Sequence, residues 1–112
     1  MKVSVTEQNN IAVIAIQGKM MGGPDTGELD EKLYAMLGKG NKTTIVDLAG
    51  CEWINSSGLS ILIHHYKKFR DAGGELKLAN LTDKIERIMV ISRLTEVFKV
   101  YDTLEAAMKD SK

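Results

Sequence analysis

Residues 43–78 read TTIVDLAGCEWINSSGLSILIHHYKKFRDAGGELKL. The run Thr43 to Leu48 carries β-branched bulk at Thr44, Ile45 and Val46, which suits a pleated, buried strand. Beyond it, Leu59, Leu62, Ile63, Tyr66 and Phe69 recur at spacings of three and four and lay one apolar stripe along a helix. Gly73 and Gly74 end that helix as a left-handed cap would. Glu75 to Leu81 then resumes a strand pattern, with Leu76 and Leu78 set among polar Lys77 and Asn80.

Working outward, Val3 and Val5 alternate with polar neighbours, and Asn9-Asn10 separates them from the run Ile11 to Ile16. This predicts a hairpin whose second strand is buried on both faces, so the sheet opens with an antiparallel pair. Pro24 and Asp25 suit a helix start, and Leu29, Leu33, Met36 and Leu37 continue the helical spacing until Gly38 and Gly40. Downstream, Thr82-Asp83 precedes a third helix carrying Ile85, Ile88, Met89 and Ile91 or Ser92, followed by a short strand over 97–101 and a helix over 104–108. Strands alternating with helices predict an α/β fold. The expected architecture is one domain over 1–112, with a four- to five-stranded, mostly parallel mixed sheet and about four helices.

A chain of 112 residues can bury roughly two-thirds of its unfolded surface and needs no staples. The single Cys51 cannot close an internal disulfide and reads as a small buried hydrophobe, which fits a reducing cytoplasm. Lys plus Arg and Asp plus Glu number 15 each, so no long-range field gathers nucleic acid or an acidic membrane. The apolar runs fall far short of the ~20 residues of a membrane helix, and the start lacks a secretory pattern. The expectation is a soluble cytoplasmic protein with no direct nucleic-acid contact and no membrane insertion.

The candidate functional spot is Asn55-Ser56-Ser57-Gly58, where a strand hands over to a helix. Asn and Ser at that place cap helical N–H groups for structural reasons alone. The helix start also tolerates a phosphate, because its N–H groups carry partial positive charge. Met20 and Met21, flanked by Gly18, Gly22 and Gly23, are expected on an exposed loop able to pack against a partner. Ile61 falls off the apolar stripe, together with Ser57 and His65, and suits a binding surface. His64 and His65 point about 100° apart on their helix and cannot grip one metal, so neither a metal nor any other cofactor is expected.

The order of Asp47-Leu48-Ala49-Gly50, Asn55-Ser56-Ser57-Gly58-Leu59 and Ala72-Gly73-Gly74-Glu75-Leu76-Lys77-Leu78, with the amphipathic tail from Ile85 to Val100, resembles the anti-sigma-factor antagonists, small bacterial members of the STAS family. Two departures stand out: the family usually carries Asp where this chain has Asn55, and the stretch from Gly18 to Thr26 looks longer than in many relatives. The resemblance implies a non-enzymatic module that binds an anti-sigma factor with serine kinase activity and so frees the sigma factor. Phosphorylation of Ser57 would switch it off, and a serine phosphatase would restore it. Partner contact is then expected at Met20, Met21, Gly22, Gly23, Asn55, Ser56, Ser57, Gly58 and Ile61. The same domain type also resembles accessory pieces of membrane transporters, which gives an alternative partner. Hydrolase chemistry at Ser57 would need a base, and His64 lies two turns away, about 10 Å along the helix.

Overall fold

The computed structural model describes residues 1–22, 26–40 and 43–111. Strands β1 (Lys2–Gln8) and β2 (Ile11–Met20) form the antiparallel hairpin. Asn9 and Asn10 both hold positive φ, +54° and +65°, the turn geometry that matches strand twist and that Asn tolerates better than most residues. Helix α1 (Gly27–Gly38) leads to β3 (Thr43–Ile54), then α2 (Ser56–Asp71), β4 (Glu75–Ala79), α3 (Asp83–Ile91), a short 3₁₀ turn at Leu94–Glu96, β5 (Val100–Tyr101) and α4 (Leu104–Lys109). The expected helix start at Pro24 and Asp25 lies outside the described residues, as does Gly23.

The strands lie side by side in chain order, β1-β2-β3-β4-β5, with every pair after the first parallel. Successive side chains of a strand point to opposite faces. Ala12, Ile14, Ile16, Val46, Leu48, Leu76 and Leu78 therefore meet Leu29 and Leu33 of α1, Leu62 and Phe69 of α2, and Ile85 and Met89 of α3 in one core. Ile11, Val13, Ile45 and Ala79 form a smaller core with Ala107 of α4. The hairpin's second strand is thus buried on both faces, as its unbroken apolar run predicts. Of the predicted stripe on α2, Leu62 and Phe69 are fully buried, while Leu59, Ile63 and Tyr66 pack on the core margin.

Both central strands run further than the sequence suggests. β3 does not stop at Leu48, and β2 does not stop at Ile16, because Gln17, Gly18, Lys19 and Met20 pair with Gly50, Cys51, Trp53 and Ile54 across two register shifts. Such a bulge absorbs an extra residue and twists the strand without ending it. Gly50 allows it: a Cβ there would come within 2.9 Å of Gln17 Cγ and 3.0 Å of the Ile16 carbonyl. Met20, expected on an exposed loop, is instead a fully buried strand residue opposite Ile54, and only Met21 beyond it is exposed, at 44%.

Lys77, expected on a polar strand face, is buried beneath α4. Its ammonium donates to Ser111 Oγ at 2.8 Å and the Asp110 carbonyl at 3.4 Å, and lies 3.3 Å from the Glu75 carboxylate. Beside it the Tyr101 hydroxyl donates to the Asp110 carboxylate; that bond holds the carboxyl below its usual range, and burial pushes the phenol up to about 12.

Candidate functional site

In open α/β sheets the loops beyond the carboxyl ends of the parallel strands are where ligands gather. Here those ends are Met20, Ile54 and Ala79, so Met21–Gly22, Asn55–Ser57 and Thr82–Lys84 follow the same edge. Asn55 is the N-cap of α2, extended at φ −97°, and its Oδ1 accepts the Gly58 N–H at 2.9 Å. Capping therefore falls to Asn55 and leaves the Ser56 and Ser57 side chains exposed. Gly58 is glycine because a Cβ would sit 2.7 Å from the Met20 carbonyl and 3.1 Å from Ile54 Cγ2, so α2 starts in direct contact with the ends of β2 and β3.

Gly22 is held at φ +81° against Ser57, where a Cβ would fall 2.4 Å from Ser57 Cβ and 3.2 Å from its Oγ. The predicted cluster of Met21, Gly22, Asn55, Ser56, Ser57 and Gly58 is thereby brought together. Met20 is not on its surface, and Ile61 is half-buried against the main core and offers no protruding anchor. The reason is that α1 covers the face of α2 that also carries His65, one turn beyond Ile61.

Sequence reasoning missed Trp53. It is 40% exposed, with Lys84 Nζ 5.6 Å from its ring centroid, in a shallow depression also lined by Lys19, Met21 and Glu52. No period of two discloses it: Cys51 and Ile54, three positions apart, both lie in the main core, so the alternation of β3 breaks between them and leaves Trp53 outside. Cys51 is buried, its thiol donating weakly to the Trp53 carbonyl, and desolvation pushes it up to about 11, which removes it as a nucleophile.

The orientation of α2 is fixed from α1. His65 is fully buried and its Nε2 lies 2.6 Å from Asp30 Oδ1, while the Tyr34 hydroxyl bonds His64 Nε2 at 2.7 Å and the Tyr34 ring stands edge-on to His65. Nε2 donates to the carboxylate, which leaves Nδ1 unprotonated and without a hydrogen-bond partner among the described residues. Burial lowers the His65 pKa below its ordinary 6.5, opposed by Asp30 and reinforced by His64 and Lys68. The unfolded chain thus binds the proton first. Stability should be intact above pH 6.5 and fall on acidification through the interval beneath it, with a slope of up to about 1.4 kcal/mol per pH unit. Urea midpoints of His65→Gln, whose amide can still donate to Asp30, should be flatter over that interval; equal slopes would refute this origin.

The family profile of the STAS domain matches residues 2–107, and the chain belongs to that family. A Bordetella bronchiseptica protein provisionally named as an anti-sigma factor antagonist is 27% identical over 107 residues, covering 96% of this chain and 91% of its own. Among solved structures, one from Thermotoga maritima with the same provisional name superposes with a TM-score of 0.86 at 21% identity, covering 96% of this chain and 92% of the other. The Bacillus cell fate determinant SpoIIAA in its phosphorylated form matches with a TM-score of 0.78 at 16% identity, covering 99% and 100%. Among the described residues, no helix is long and apolar enough to cross a membrane.

Proposed function

We propose that this protein is an anti-sigma factor antagonist of the cytoplasm, working by exchange of partners. In its unphosphorylated form it binds an anti-sigma factor with serine kinase activity and releases the sigma factor. Phosphorylation of Ser57 ends that binding, and a serine phosphatase restores it. The observation that carries this reading is an exposed Ser57 hydroxyl at the start of α2, with Gly22 and Gly58 beside it. Both glycines are buried and let the end of β2 pack closely against the start of α2, which holds Ser57 at the surface. The names of the relatives support the antagonist role.

Catalysis belongs to the partner. The parts that run phosphoryl transfer, a phosphate-cradling Gly loop with its Lys and metal-binding carboxylates, are assigned there. Ser57 supplies only the accepting oxygen. Met21 and Trp53 add exposed apolar area next to it, the residue types that anchor interfaces. The test is the intact mass of the protein recovered from its own cells, with phosphate mapped by fragmentation. Phosphate on Ser57, and a kinase recovered only with the unmodified form, is the expected result; phosphate on Ser56 would overturn the assignment.

A further inference from the structure

Asn55 does more than cap α2. Its backbone N–H donates to the Met20 carbonyl at 3.1 Å, and its side-chain Nδ2 donates to the Met21 carbonyl at 2.8 Å, while Oδ1 accepts from Gly58. The reversed amide would face Gly58 N–H with a donor and the Met21 carbonyl with an acceptor, so only one orientation satisfies both. A carboxylate at this position could keep the cap, but it would turn a second acceptor toward the Met21 carbonyl. A serine hydroxyl could cap as well, but it is one atom and cannot reach both groups. The residue tied down this way is directly followed by Gly22, the glycine seated on Ser57 at positive φ.

We infer that Asn55 is a positioning residue, whose amide clamps the Met21–Gly22 backbone against Ser57 so that a partner meets a preformed surface. The inference rests on the reading of Ser57 as the centre of the partner surface. The donor that the amide has and a carboxylate lacks is used on the carbonyl of Met21, just beyond β2. A surface ordered before binding loses less conformational freedom when the partner arrives.

The test compares Asn55→Ser and Asn55→Asp with the parent protein. Both replacements retain an oxygen suited to capping, so melting temperature and the exchange protection of the Gly58 amide should hold. The nuclear Overhauser contact between the Gly22 α-protons and the Ser57 β-protons should be strong in the parent and weak or absent in both variants. Gly22→Ala, which must leave Ser57 with Asn55 intact, should match them. Affinity of unphosphorylated Asn55→Ser for the kinase should be about three- to tenfold weaker than that of the parent, the range for one lost hydrogen bond. An undiminished contact in Asn55→Asp would overturn the inference, since a residue that only caps would leave Gly22 in place. So would a lost contact with unchanged affinity. The proton-contact measurement needs no partner. Loss of the contact in a protein whose parent form binds no kinase would therefore sink the partner reading and leave the clamp standing.

Discussion

Protein carrying phosphate on Ser57 should keep its fold and lose its partner. The modification adds about −1.5 to −2 charge at pH 7, and the first turn of α2 is a favourable place for it. Asn55 already satisfies the Gly58 N–H, so the cap does not have to rearrange when the hydroxyl of Ser57 is modified. A kinase surface fitted to the neutral, exposed Ser57 hydroxyl would instead have to desolvate an unpaired dianion, a penalty of about 2–5 kcal/mol. That is roughly a thirty- to several-thousand-fold loss of affinity. Calorimetry with the stoichiometrically phosphorylated protein should record it beside an unchanged circular dichroism spectrum. Ser57→Ala should bind and resist modification, and Ser57→Asp should bind weakly. Ser56→Ala should remain a substrate, because the cap belongs to Asn55. Undiminished binding of the phosphorylated form would remove the switch.

The two adjacent methionines should separate sharply. Met20, the last residue of β2, packs against Gly58 in the main core and is fully buried, so Met20→Ala should cost about 2–5 kcal/mol, as truncating a buried methionine does. Met21→Ala, at an exposed position, should stay within about 0.5 kcal/mol of the parent while weakening kinase binding. Urea unfolding measures the first and titration with the kinase the second. Equal stabilities for the two variants would show that Met20 is not where it has been placed.

This pair marks the limit of what the sequence discloses. The hairpin, the parallel order, the α2 stripe and the Thr82 start of α3 are all legible, since each follows from a period of two or 3.6 or from a local cap. Thr82 does cap α3, accepting from the Ile85 N–H. The continuation of β2 and β3 is not legible. Glycine at 18 and 50 reads locally as a break, and only the pairing of one strand against the other turns it into a bulge. Read locally, Met20 therefore falls on a loop and Trp53 carries no signal of its own, whereas the paired strands bury the first and expose the second. His65 and Lys77 lie beyond periodicity too, because what makes their burial tolerable is a carboxylate on α1 for one and the tail after α4 for the other. The serines are legible because their spacing is local, whereas Gly22 over Ser57 is a contact between residues 35 apart in number.

The burial of Lys77 gives the last few residues a standing that their position outside every strand and helix conceals. Asp110 and Ser111 act as counter-ion and hydrogen-bond acceptor for a buried cation on β4, beside the edge strand β5. Without Asp110 and Ser111 every regular element would remain, and that cation would keep Glu75 as its counter-charge among the described residues. Asp110 and Ser111 are therefore part of the charge balance of the interior, although no strand or helix contains them.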